Sequence, residues 1–323
     1  MKTLKLFFYF MALTVAFSAC GGDDDDSATT GSGSSGNGNT TPNVNANTGA
    51  NQNAIVRAYC TNLEFPRLKE GGNNVVIVHI VDTYGLNYCV EWDADKHAQR
   101  WSCYQMHAAN SVRNTSRYYS EDNQYPNDTF LDSQYHFTED PYWGSGFNHG
   151  HICPSADRLC SFDANYQTFF MTNMQPQINA FNAGVWEKME EQVRKWNSTN
   201  FRDTLFVVKG GTIDSEDNLG YVDSSGKYVD RKYIGSGKNR IPVPAYFYMA
   251  ILCKKPKSQG GGYEAAAFWI QHKASYDDQL LKYLVSIDEL EQLTGIDFFC
   301  NLPDDIENAV EKQIGSSFKV GLR

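Results

Sequence analysis

The chain has 323 residues, with 28 Lys and Arg against 38 Asp and Glu and a formal net charge of −10. That length is enough for one large domain. The acidic balance excludes a surface that is basic throughout, so a polyanion would need a local basic groove and would bind in a salt-sensitive way.

Taken in chain order, the first 20 residues read as an export signal. Lys2 and Lys5 begin it, the apolar run Leu6 to Phe17 follows, and Ser18-Ala19-Cys20 makes a small-residue cleavage site ending in cysteine. The run is short for a membrane span. Cys20 as a new first residue is similar to the lipid attachment point of bacterial lipoproteins. Gly21-Gly22 and Asp23 to Asp26 resemble acidic signals that send some of these proteins to the cell surface, although four aspartates also make an ordinary solvated tether. The expectation is an exported chain, anchored by lipid to the outer membrane through Cys20, with no obligate protein partner. Residues 27 to 54 are Ser, Gly, Thr, Asn and Ala with almost no large apolar side chain, too little to offset ordering entropy. The expected organisation is a signal peptide over 1–19, a flexible tether over 20–54 and a folded domain over 55–323.

Within that domain, "VVIVHIVD" (75–82) is a β-branched run and reads as a strand. "NYCVEWD" (87–93) and "RWSCYQM" (100–106) read as a hairpin turning near Asp93 to Ala98. Residues 110–146 are polar, Tyr-rich and expected to be loop. "TFFMTNM" (168–174) is expected as a buried strand, and "TLFVVKGGT" (204–212) as a strand entering a glycine turn at Gly210-Gly211. "VPAYFYMAILC" (243–253) and "EAAAFWI" (264–270) form the next antiparallel pair. "SIDELEQLTG" opens with a capping box, Ser286 to Glu289, and stops at Gly295. A further helix begins at Asp304 or Asp305. The class is α+β: a mostly antiparallel sheet flanked by helices.

Besides Cys20 there are seven cysteines: Cys60, Cys89, Cys103, Cys153, Cys160, Cys253 and Cys300. An exported protein can keep disulfides, and an odd count requires a free thiol or an intermolecular bond.

Two stretches carry the chemistry. "FNHGHICPSADR" (147–158) alternates His149, His151 and Cys153, which a strand would place on one face. Zinc takes such ligands, but no second pair stands at a usual spacing, and a polar turn with Cys153 in a disulfide would also account for the stretch. "NAFNAGVWEKMEEQVRKW" (179–196) is expected as one helix. Phe181, Val185, Met189 and Val193 repeat every four residues as a core stripe. Asn182, Trp186, Glu190 and Arg194 repeat beside it.

Together the two stretches resemble the DNA/RNA non-specific endonuclease family, the sugar-non-specific nucleases of the ββα-metal (His-Me finger) group. The matching residues are Gly150-His151, Pro154-Ser155-Ala156-Asp157-Arg158, Thr172-Asn173, Pro176-Gln177, and Asn182, Gly184, Trp186, Glu190 and Arg194 at the family's spacing. Weaker similarity runs from about Asn62 to "LTGIDFFCNLP". The resemblance implies a ββα-metal active-site motif and a nuclease that cuts DNA and RNA to 5′-phosphate ends. His151 would take a proton from water, as a neutral imidazole can. Asn182 would hold one Mg²⁺, with Mn²⁺ or another divalent ion as substitutes, and Glu190 would reach it through water. Arg194 would contact phosphate, and Asn173 would orient substrate or site groups. An arginine from the preceding loop completes the family's site, with Arg117 the candidate and Arg113 the alternative.

Each residue has a plainer reading. Asn182 could be an N-cap, and Glu190 with Arg194 a surface i,i+4 ion pair. Arg158 and Trp186 fit structural roles better than catalytic ones. One departure stands out: the family's Asp-Arg-Gly-His is here Asn148-His149-Gly150-His151. His149 could contact substrate phosphate only when protonated. That change and the acidic charge favour a competing class, a nuclease-fold surface protein that binds nucleic acid or another partner with weakened catalysis. A zinc hydrolase using His149, His151 and a cysteine is a third.

Overall fold

Runs rich in Val, Ile and aromatic side chains fit a pleated surface buried on both sides. In the computed structural model, which describes residues 43–322, they build one large sheet. Strands β1 (Asn74–Val81), β2 (Gly85–Asp93) and β3 (Ala98–His107) form a meander, and β4 (Asn148–His151) and β5 (Met174–Gln177) a separate pair. After β6 (Thr204–Gly211) come the two-residue strands β7 (Tyr221–Val222), β8 (Tyr228–Val229), β9 (Tyr233–Ile234) and β10 (Ile241–Pro242). Then follow β11 (Tyr246–Lys254), β12 (Tyr263–Gln271) and β13 (Leu284–Val285). The main sheet has seven strands in the order β1-β2-β3-β6-β11-β12-β13, paired antiparallel throughout. Helices are α1 (Ala54–Tyr59), α2 (Phe162–Gln167), α3 (Glu187–Trp196), α4 (Ile287–Thr294), α5 (Asp304–Glu311) and α6 (Ser316–Lys319). This is the expected α+β class. No helix among the described residues is long and apolar enough to cross a membrane.

Alternation along the strands sends side chains to two cores. Val90, Trp92, Tyr104, Leu205, Val207, Phe247 and Met249 pack with Phe181, Val185, Met189 and Val193, the stripe read from the sequence. Cys89, Trp101, Cys103, Phe206, Val208, Tyr248 and Ala250 pack on the other side with Val56, Ile287 and Leu290. Each fully buried large apolar side chain stabilises the fold by about 1.5–3 kcal/mol, so helices on both faces are required. At α4, the Ser286 side chain accepts from Glu289 N and Gly295 closes the helix at φ +68°, as the sequence implies.

Four expectations are corrected. Residues 168–173 are buried but are not a strand, and only Met174 begins one. Ser161 caps α2, Thr168 ends it, and a 3₁₀ turn over Met171–Asn173 leads into β5. A short apolar run lacks the period that separates strand from buried bend. The helix expected over 179–196 is broken: a π-turn spans Phe181–Trp186, with Gly184 at φ −118° and ψ −111°, and α3 starts only at Glu187. A Cβ on Gly184 would overlap the Tyr276 ring. Gly210 and Gly211 are the last residues of β6, paired with Tyr248 and Phe247, not a turn.

Finally, part of the expected tether is docked on the domain. Asn43 donates to Cys300 O (3.0 Å), and Asn47 is 5% exposed, donating to Pro66 O (2.9 Å) and accepting from Leu68 N (3.0 Å). Asn53 caps α1 by accepting from Val56 N (3.0 Å). Side-chain amides satisfy loop backbone here, a contribution that apolar content does not measure. The export signal, the lipidation site at Cys20 and the remaining tether to residue 42 lie outside the described residues. The seven described cysteines are all free and buried.

Buried His272 shows how the fold responds to acid. Its Nδ1 donates to Pro244 O (2.9 Å) and its Nε2 accepts from Ile178 N (2.9 Å), so both nitrogens are matched to the neutral ring. Burial pushes its pKa down to about 4 from 6.5. Below pH 6.5 the unfolded chain gains a proton that the fold refuses. Stability present above that pH is lost as pH falls toward 4, by about 3 kcal/mol for this one residue. In denaturant unfolding at pH 7 and pH 4.5, His272→Gln should be less stable at pH 7 and should lose less on acidification than the parent protein.

Candidate active site

β4 and β5 pair in the register Asn148↔Gln177, His149↔Pro176, Gly150↔Gln175 and His151↔Met174. The Gln177 side chain lies across Gly150 where any Cβ would stand, which is why glycine sits between the two histidines. The chain then enters the π-turn and α3. Trp186 Nε1 donates to His151 O (3.1 Å), tying helix to strand. The resulting strand–strand–helix unit walls a cleft of about 490 Å³.

Into that cleft converge His151, Asn182, Glu190, Arg194, Arg117, Asn148 and His149, with Glu187 and Ser155. His151 is half-buried, its ring edge-on to Phe169 at 4.8 Å. Its Nε2 is enclosed with no hydrogen-bond partner among the described residues. Burial first, then the charges of Arg117 and His149, push its pKa down to about 3, so the ring is neutral at ordinary pH. Arg117 donates to Ser155 Oγ (2.6 Å) with its guanidinium 4.8 Å from the Phe169 ring centre. Asn182 lies within the π-turn rather than at its cap. Its backbone N–H donates to Ile178 O (3.0 Å), and its side-chain amide has no hydrogen bond among the described residues, which leaves it for a ligand.

Glu190 is held among cations: Lys209 Nζ stands 3.4 Å from its Oε1 and Arg194 Nη1 3.9 Å from its Oε2. Burial still outweighs their pull and raises its pKa to about 7. Arg194 also donates to Asp157 (3.2 Å), whose other oxygen accepts from Tyr104 OH (2.9 Å). Glu190 and Arg194 are thus part of a buried network, not a surface ion pair.

The other expected residues fall elsewhere. Asn173 does not line the cleft. It is fully buried, donating to Cys153 O (2.8 Å) and Thr168 O (2.7 Å) and accepting from Cys153 N (2.8 Å). With Ser102 Oγ donating to the same oxygen (3.3 Å), its four bonding sites are occupied by protein, and it positions the chain just after His151. Arg113 is exposed on a separate groove, and of the two loop arginines it is Arg117 that lines the cleft. His149 is stacked between Tyr125 (3.7 Å) and Tyr142 (4.0 Å), and its Nε2 meets both Asp140 oxygens at 3.1 Å. That nitrogen serves Asp140, which competes with the phosphate contact expected of it. Burial works to raise Asp140, but the His149 hydrogen bond and charge overcome it and hold the carboxyl below its usual value. His149, His151 and Cys153 do not gather into a metal cluster among the described residues, which removes the geometry of the zinc reading. In the acid–base row, Trp186 turns away into the core because the π-turn shifts its register. Arg158 is structural, buried and donating to Gln105 O (2.9 Å).

Sequence reasoning missed Lys209, Asp157 as the partner of Arg194, and the Tyr125–His149–Tyr142 stack. Lys209 had a signal: a lone lysine within the apolar run of β6 must find a partner. The tyrosines had none, since they come from an aperiodic loop.

A half-buried neutral histidine on a strand pair, facing an amide and a carboxylate from the helix that follows, defines the ββα-metal nuclease arrangement. The chain belongs to the DNA/RNA non-specific endonuclease family, whose sequence profile matches residues 78–305. It is 29% identical over 234 residues to a nuclease of Nostoc, covering 70% of this chain and 76% of that one. It is 27% identical to the mitochondrial nuclease EXOG of Xenopus laevis, spanning 58% of its length and 68% of this chain. For human endonuclease G the figures are 29% identity, 51% of this chain and 52% of the relative. Among solved structures, a complex of EndoG with EndoGI matches with a TM-score of 0.56 at 20% identity, covering 70% of this chain and 86% of that one, which shows a shared fold.

Proposed function

We propose that this protein is a divalent-metal-dependent endonuclease that hydrolyses DNA and RNA, leaving 5′-phosphate and 3′-hydroxyl ends. One observation carries the reading: His151, Asn182, Glu190, Arg194 and Arg117 meet in a single cleft. The donor set supports the metal. Asn182 offers an amide without a protein partner, beside the carboxylates of Glu190 and Glu187, and such hard oxygen donors suit Mg²⁺ or Mn²⁺. Asn182 would hold the ion directly and Glu190 through water. When bound, the ion supplies charge stabilisation at the scissile phosphate and the leaving oxygen.

The chain's own residues do the rest. His151 accepts the proton of the attacking water. Its low basicity in the free cleft comes partly from Arg117, and a phosphate seated on Arg117 would offset that charge and lift the ring toward a useful range. Arg194, fixed by Asp157, presents its remaining donors to phosphate. His149 stiffens the cleft wall through its stack. The competing reading, a binding protein with weakened catalysis, draws on Asn148-His149 and on Asp140 beside the cleft. The export reading, with lipid at Cys20 and the outer membrane or cell surface as destination, rests on residues 2–26 and is likewise a proposal.

The test incubates plasmid DNA and RNA with the purified protein and Mg²⁺, with and without excess EDTA. Metal-dependent cutting of both polymers is the expected result. No cutting of either by folded protein with Mg²⁺ or Mn²⁺ would favour the binding reading instead.

A further inference from the structure

Beyond the cleft, on the sheet face opposite α3, the packing of α5 is unusual. Its two most buried residues are Glu307 and Glu311, while Ile306 and Val310 pack only partly buried against the core. Glu311 is 6% exposed. Its Oε1 is enclosed and has no hydrogen-bond partner among the described residues. It points toward α4, where a carboxylate oxygen each of Asp288 and Glu291 lies within 4.8 Å of a Glu311 oxygen and of each other. Glu291 is otherwise bonded through Oε1 to Phe298 N (2.7 Å). After burial itself, the groups that raise Glu311 are Glu291, Glu307, Asp297 and Asp288, every one a carboxylate. A buried carboxylate with neither donor nor countercharge is costly, and apolar packing does not explain its placement.

We propose that Asp288, Glu291 and Glu311 form a calcium site that staples α5 to α4. The donors are all hard oxygens, with no imidazole or thiolate, which disfavours zinc. They come from two helices and one side stays open to water, which suits the larger, variable shell of calcium better than the strict octahedron of magnesium. The site would also secure the docked N-terminal segment. Asn45 donates to Glu307 (2.9 Å), one turn from Glu311, and to Asp297 (3.1 Å), and Val44 N donates to Asp304 (3.2 Å). The cation would therefore lock the helix to which Val44 and Asn45 are bonded.

Calcium in the nuclease cleft must be kept apart from calcium here, so the experiment uses Asn182→Ala protein as its background. Thermal unfolding is followed in CaCl₂ and in EGTA. At calcium a hundredfold above Kd, Tm should rise by roughly 5 °C or more, and calorimetric titration should count one site. Glu311→Gln added to that background should abolish both signals while Mg²⁺-supported cleavage by the Glu311→Gln single variant persists. Should Glu311→Gln fold poorly, Asp288→Asn should weaken calcium binding at least tenfold. Equal Tm in CaCl₂ and EGTA for the Asn182→Ala protein, or an undiminished shift after the Glu311 or Asp288 change, would overturn the site. Neither outcome bears on cleavage, so the nuclease reading stands or falls separately.

Discussion

His151→Ala protein should lose about 10²–10⁴-fold in cleavage rate on both DNA and RNA, the range a positioned base contributes, with its fold intact. The fold should survive because the ring makes few bonds that a cavity would orphan. Its Nε2 has no partner, and the strand is fixed by its backbone pairing to Met174 and by Trp186 bonding the His151 carbonyl. Alanine keeps all of these. Rates come from single-turnover assays, and near-ultraviolet circular dichroism reports the packing of Trp186. A variant that cuts within threefold of the parent would remove His151 from the mechanism.

Asn182→Ala should be nearly as damaging, but in a different variable. The amide makes no side-chain hydrogen bond to protein among the described residues, so its loss should leave stability almost unchanged. Apparent affinity for Mg²⁺ should fall at least tenfold, and rates at millimolar metal should fall about 10²-fold or more. Asn182→Asp keeps an oxygen donor and should recover part of the activity, with tighter metal binding from the added charge. Titrating activity against Mg²⁺ for the three proteins is the check. Identical midpoints for parent and alanine variant would place the ion elsewhere in the cleft.

How much of this was legible follows from period and spacing. The strands of the main sheet announced themselves because β-branched runs bounded by turn residues have few alternatives. The core stripe from Phe181 to Val193 was visible because four-residue repeats survive even a π-turn. Trp186 packs in the core, as its structural reading expected, although its row ran beside the site residues, and nothing but Gly184 hinted at the break. Residues 168–174 failed because an apolar run without period fits a buried bend as well as a strand. At the site, His151, Asn182, Glu190 and Arg194 were picked out by motif spacing, and Arg117 only as one of two arginines in the preceding loop. Asn173 was placed near the site with two duties open, orienting substrate or orienting site groups, and its bonds to Cys153 fit the second, because a motif reports proximity and not which atoms are free. Lys209, Asp157 and the tyrosine stack depend on contacts between distant segments, which no local pattern encodes.

The seven free thiols have a practical consequence. All are buried, and burial raises the pKa of each, so the reactive thiolate is scarce while the protein is folded. They sit in α1's cap, the β2–β3 pair, the turn after β4, the approach to α2, β11 and the loop before α5. Each therefore acts as a clock for its own neighbourhood: modification by a small alkylating agent waits on local opening. Mass spectrometry of partly labelled protein would rank these regions by opening free energy without an introduced probe. Cys89 and Cys103, directly opposite on β2 and β3, report on the same strand pair and should be labelled together.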